Sequence, residues 1–136
     1  MKIQDLRLGN YIELRYENEG YCEVISIDKN GCIDVEYPDG EIIYDRECKF
    51  ENHEPIPLTE EWLLKFGFIK HHHDYINSME NLVLMLREIE TNEWIYKLYP
   101  IELGTAQQPK AVNIKSIHQL QNLYFALTSE DLVLKD

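Results

Sequence analysis

Between Asn10 and Tyr44 apolar and polar residues alternate with a period of two, and turn residues break the alternation at short intervals. Ile12, Leu14 and Tyr16 alternate with Glu13 and Arg15, and Ile33, Val35 and Tyr37 alternate with Asp34 and Glu36. Successive side chains of a strand point to opposite faces, so each run predicts a short strand with one face turned inward. The run from Tyr21 to Ile27 ends at Asp28-Lys29-Asn30-Gly31, where Asn-Gly supplies the positive backbone angles of a tight hairpin. Pro38-Asp39-Gly40 is a second turn, ahead of Glu41-Ile42-Ile43-Tyr44. Strands this closely spaced predict a small SH3-like β-barrel over residues 1–50, because an open sheet of that size leaves edges and an apolar face exposed.

The period is lost over residues 45–58, which contain Pro55 and Pro57, and residues 51–58 read as a linker. Thr59 then starts a short helix. Its first turn carries Glu60 and Glu61, negative charge beside the unpaired amides at the positive end of the helix dipole. Leu58 is placed to staple onto Leu63, and Gly67 to end the helix in the left-handed conformation with Phe68 folding back. Residues 68–76, 82–89 and 93–99 read as strands. Leu82, Leu84 and Leu86 share one face of theirs and Val83, Met85 and Ile89 the other, which predicts a strand covered on both sides. Gly104, Thr105, Gln107, Gln108 and Pro109 mark a loop between Pro100 and Lys110.

Ser116 with Gln119 three places on is a capping box, and Leu120, Leu123, Tyr124 and Leu127 follow at i, i+3, i+4 and i+7. They predict a terminal amphipathic helix buried on that stripe, with His118, Gln121 and Asn122 clustered on the opposite side and Leu132-Val133-Leu134 as a last short strand. The expected fold class is thus α+β: a barrel, a linker, and over residues 59–136 an α-β-β-β-α portion with an antiparallel sheet.

Composition narrows the function. A hydrophobic share of 44% in 136 residues supports a real core and argues against disorder. The net charge is -12 and divides as -6 over residues 1–50 and -6 over residues 51–136, so neither half offers the clustered Lys and Arg that a phosphate backbone requires. Nucleic-acid binding is disfavoured; imitation of DNA or attraction of a basic partner is not. No apolar stretch approaches the ~20 residues that span a bilayer, and Met1-Lys2-Ile3-Gln4-Asp5 begins no signal peptide, so a cytoplasmic protein without membrane association is expected. Cys22, Cys32 and Cys48 form no C-x-x-C pair and read as reduced, partly buried thiols.

Candidate chemistry is sparse. His71-His72-His73-Asp74 holds good metal ligands, but alternate residues of a strand face apart, and the block reads as an exposed strand end or loop. Cys48 with His53 matches no nucleophile-base signature, and Glu60 with Glu61 reads as helix-start charge. No catalytic residue, metal site or cofactor is therefore expected. Tyr11, Tyr16, Tyr21, Tyr37 and Tyr44 make the barrel segment aromatic enough to build a groove, with Tyr11 and Tyr37 as binding candidates. His118, Gln121 and Asn122 are weak helix formers for a surface, which makes them the other candidates for contact with a ligand, the neighbouring sheet or a dimer mate.

The segment "HQLQNLYFALT", with "LRLGNYIEL" at residues 6–14 and "EPIPLTEEWLLKFGF" at residues 54–68, resembles an uncharacterised family of Bacteroidota genomes and their phages or mobile elements. That family pattern has Gly after the terminal Leu-Thr, where this chain has Ser129. The resemblance carries no activity and implies an accessory protein of mobile elements. The expectation is a non-enzymatic binding protein, able to form a homo-oligomer, that occupies a host protein or small ligand. The alternatives are counter-defence, by sequestering a signalling nucleotide or imitating DNA, and a small hydrolase.

Overall fold

The structure is a computed structural model that describes residues 3–14, 20–45, 53–79, 82–90, 93–100 and 112–135. It is an α+β protein, mostly strands, with two antiparallel sheets and two helices. Two compact units divide it, one of Met1–Ile56 with Ser116–Leu127 and one of Pro57–Lys115 with Thr128–Asp136. The terminal helix, read from sequence with residues 59–136, thus groups with the first unit.

In the first unit a 3-10 turn at Ile3–Asp5 precedes β1 (Tyr11–Leu14), β2 (Tyr21–Ile27), β3 (Ile33–Glu36), β4 (Ile42–Tyr44) and β5 (His53–Pro55). The sheet order is β4-β3-β2-β1-β5, with every neighbour antiparallel. No closed barrel is formed by the described residues. β5 lies in the stretch read as a linker: three residues are too few to show a period, and backbone pairing with β1 alone makes them a strand. The inner face is Ile12, Cys22, Val24, Ile33 and Val35, none more than 1% exposed, with Leu6 and Tyr37 beside them. Full burial of side chains of this size stabilises by roughly 1.5–3 kcal/mol each. The turns form as their residues require: the Asp28 carboxylate accepts from the Asn30 and Cys32 amides, and Gly31 takes φ 83°.

Helix α2 (Ile117–Thr128) is joined to this unit by the Ile117 amide, which donates to the Ile56 carbonyl at 2.9 Å. Its buried side matches the predicted stripe only at Leu120. Ile117, His118, Leu120 and Gln121 are buried, whereas Leu123, Tyr124 and Leu127 are only half-buried. Two polar residues of the supposed outer face therefore lie inside. After Thr128 the helix ends on Ser129 in the left-handed conformation, φ 60°, at the position where glycine is favoured.

The second unit holds α1 (Glu60–Lys65), β6 (Ile69–His71), β7 (Asp74–Ser78), β8 (Leu82–Glu90), β9 (Glu93–Pro100) and β10 (Val112–Ile114), in sheet order β10-β9-β8-β7-β6. The boundary signals of α1 operate as expected. Thr59 accepts from the Trp62 amide, Gly67 has φ 87°, and the Phe68 amide returns to the Leu63 carbonyl. Leu58, Leu63, Phe66, Leu84, Leu86 and Trp94 form the core, and the Trp94 indole donates to the Leu58 carbonyl at 2.8 Å.

Four expectations are corrected here. The strand over 68–76 is a hairpin that turns at His72, which takes φ 58°. β10 pairs with β9 where no strand was read, for the same reason as β5. Only one face of β8 is buried, since Leu84 and Leu86 are 0% exposed while Met85 is half-buried and Ile89 is 49% exposed. The tail at Leu132–Leu134 forms no strand; Leu132 is buried, and the Lys135 amide donates to the Lys65 carbonyl.

Candidate functional site

The strongest sequence candidates on the helix, Gln121 and Asn122, are engaged within the first unit. The Gln121 side chain accepts from the Tyr11 amide at 2.8 Å and donates to the Gly9 carbonyl at 2.9 Å. Asn122 accepts from Asn10 Nδ2 at 2.9 Å and donates to the Asp5 carbonyl at 2.7 Å. One turn on, Phe125 lies under the Arg7 guanidinium, 3.7 Å from carbon to ring centroid. Together they hold the segment Asp5–Tyr11 where it enters β1. His118 is 3% exposed with Nδ1 3.1 Å from Ser116 Oγ, and burial lowers its pKa below the ordinary imidazole range. The helix cluster is structural in its contacts, and it answers to the sheet.

The tyrosines separate. Tyr37 is 3% exposed and belongs to the core, which removes it as a groove residue. Tyr16 lies outside the described residues. Tyr11 and Tyr21 stand on the outer face of the first sheet, half-buried and edge to face with centroids 5.1 Å apart. Register puts Glu23 opposite Tyr11, Glu36 opposite Glu23, and both Tyr21 and Glu54 opposite Glu13. Like charges directly across strands are a poor choice for stability, so this face is not one that folding alone would select. Further along, Ser26, Asp34 and Tyr44 lie in one cross-strand row and line an open cavity of about 340 Å³ with Asp28, Cys32 and Asp45.

Charge sorts by unit more sharply than by sequence half. The first unit has 14 acidic and 6 basic residues, net -8, and the second 11 and 7, net -4. The difference comes from Glu51 and Glu54, which lie past residue 50 but within the first unit, while Ser116–Leu127 adds no charge.

Other candidates resolve simply. His71 and His72 stack edge to face at 4.6 Å in an exposed turn, and no group of three metal-capable side chains occurs among the described residues. Glu60 pairs with Lys70 at 3.0 Å and Glu61 with Lys65 at 3.1 Å; the Lys70 hydrogen bond lowers the Glu60 pKa. His53 is 8% exposed, and Cys48 lies outside the described residues. Cys22 is a buried thiol outside any disulfide, 3.4 Å from the Ile12 carbonyl, but Cys32 is disulfide-bonded, which corrects the reading of three reduced cysteines. Spacing rules recognise only short local motifs, and Cys32 belongs to none. Among the described residues no helix is long and apolar enough to cross a membrane.

Compared with known protein families, curated proteins and solved structures, the chain matches none. The chemistry of the tyrosine-bearing face is therefore what bears on function.

Proposed function

We propose that this chain is a non-enzymatic binding protein whose first unit offers the outer face of its sheet to a basic surface of a protein partner. The observation that carries this is the face itself: Tyr11 and Tyr21 packed edge to face among Glu13, Glu23, Glu36 and Glu54, on a unit of net charge -8. Aromatic faces attract Lys and Arg side chains, and surrounding carboxylates steer and pair with them. The strand order β4-β3-β2-β1-β5, in which the meander's first strand also pairs with its last, supports an SH3-like platform for such a contact.

Of the two counter-defence readings, imitation of DNA fits this face better than nucleotide sequestration. The cavity beside it carries Asp28, Asp34 and Asp45, and carboxylates repel an anionic nucleotide. The resemblance to a phage and mobile-element family supplies the setting: an accessory protein in a host cytoplasm that occupies a basic host protein.

The test is titration of the full chain with an Arg- and Lys-rich octapeptide and with its Asp- and Glu-rich counterpart, followed by calorimetry. Binding of the basic peptide should weaken as salt rises from about 50 to 200 mM. The double variant Glu13→Lys with Glu36→Lys should lose at least about ten-fold in affinity, or 1.4 kcal/mol. Equal binding of both peptides, or no change in the double variant, overturns the reading.

A further inference from the structure

The helix α2 is held to the sheet by buried polar groups, and one of these can change its charge. His118 sits at the second position of the helix, 3% exposed, with Ser116 5% exposed at 3.1 Å from its Nδ1. With Nδ1 as acceptor, the Ser116 hydroxyl donates to it; an imidazolium carries N–H on both nitrogens and has no acceptor left. The amides of the helix's first turn point their positive end at the same place, which disfavours a cation there. One turn further on, Gln121 and Asn122 hold Gly9, Tyr11, Asn10 and Asp5.

We propose that His118 makes this helix an acid-sensitive latch: protonating its ring expels it from its buried site and releases the Asp5–Tyr11 segment that Gln121 and Asn122 grip. Among the described residues two charged groups lie near the start of the helix. Asp5, whose own carbonyl is held by Asn122, favours the cation, while Arg7 is drawn aside onto Phe125 and Asn122. Burial is the largest influence and opposes the cation, so the pKa falls. The sign follows. A histidine with a lowered native pKa stabilises the latched form fully above its ordinary value of about 6.5, and that stability is lost as pH falls below it. The latch is independent of the binding proposed above, although Tyr11 belongs to both.

Amide hydrogen exchange of the full chain, read by NMR between pH 7.5 and 5, tests this. After correction for intrinsic rates, the Tyr11 amide should lose at least about ten-fold in protection, the equivalent of one pKa unit. The Trp94 indole proton, bonded to the Leu58 carbonyl in the second unit, should keep its own. In His118→Asn, whose side-chain oxygen can stand in for Nδ1 and cannot charge, Tyr11 protection should change less than about two-fold. An undiminished acid response in that variant, or none in the native chain, overturns the latch. Should the variant fail to fold, the ring nitrogen shifts of His118 in the native chain decide: a His118 midpoint that differs from that of Tyr11 protection overturns it equally.

Discussion

Gln121 and Tyr11 are 110 residues apart, yet the side-chain carbonyl of the first accepts the backbone amide of the second at 2.8 Å. Gln121 Nε2 donates to the Gly9 carbonyl, so one amide side chain closes both sides of Asn10 as a neighbouring strand would. Gln121→Ala should leave two half-buried backbone groups without these partners and destabilise the first unit by about 1–3 kcal/mol. Chemical denaturation combined with exchange of the Tyr11 amide measures this. A loss below about 0.5 kcal/mol, the range of a neutral surface change, would show that the contact is dispensable.

Ser129 ends α2 with φ 60°, a region that costs a residue with a Cβ about 1 kcal/mol relative to glycine. Ser129→Gly should therefore stabilise the chain by about 0.5–1 kcal/mol. Thermal unfolding is the measurement, and a lower midpoint would contradict the strain.

Asp74 faces Arg87 across β7 and β8, with oxygens at 2.7 Å from Nε and 3.0 Å from Nη2. The Arg87 hydrogen bonds lower the Asp74 pKa. A carboxylate so lowered contributes stability that is present above its ordinary pKa and lost as pH falls through the native one. Arg87→Gln should raise the Asp74 pKa toward the ordinary range, seen by carboxyl carbon NMR. Because Arg87 is half exposed, the cost at neutral pH should stay below about 1 kcal/mol.

Cys32 and Cys22 should separate chemically. Without reductant, alkylation of the unfolded chain should label Cys22 and leave Cys32 unmodified; in the folded chain Cys22, 0% exposed, should also resist. Peptide mass spectrometry distinguishes the sites. Labelling of Cys32 without reductant would show that it is not oxidised.

Much of the local structure was legible before the fold. The bounds of β2, the caps of α1 and the turns at Gly31, Gly40 and Gly67 follow from residues within a few positions of one another. β5 and β10 were not legible, because a three-residue strand is defined by the backbone it pairs with. The site was half legible. Tyr11 stood out as an aromatic in an alternating strand, but its partnership with Tyr21 required the register of β1 on β2. Tyr37 fitted the same alternation, and the fold buried it.

Sequence alone determined the antiparallel α+β character of the chain, through period-two runs, Asn-Gly and Pro-Asp-Gly turns, and the helix capped by Thr59, all of which act within one turn or one hairpin. It also marked His118, Gln121 and Asn122 as residues that a solvent-facing helix would not choose. Tertiary structure alone decided what they do. Burial and the satisfaction of backbone amides depend on which distant segment arrives beside a side chain, and here the arriving segment is Asp5–Tyr11. Tertiary pairing likewise decided the face: on the first unit, which carries most of the net charge, hydrogen-bonded register sets carboxylates beside tyrosines.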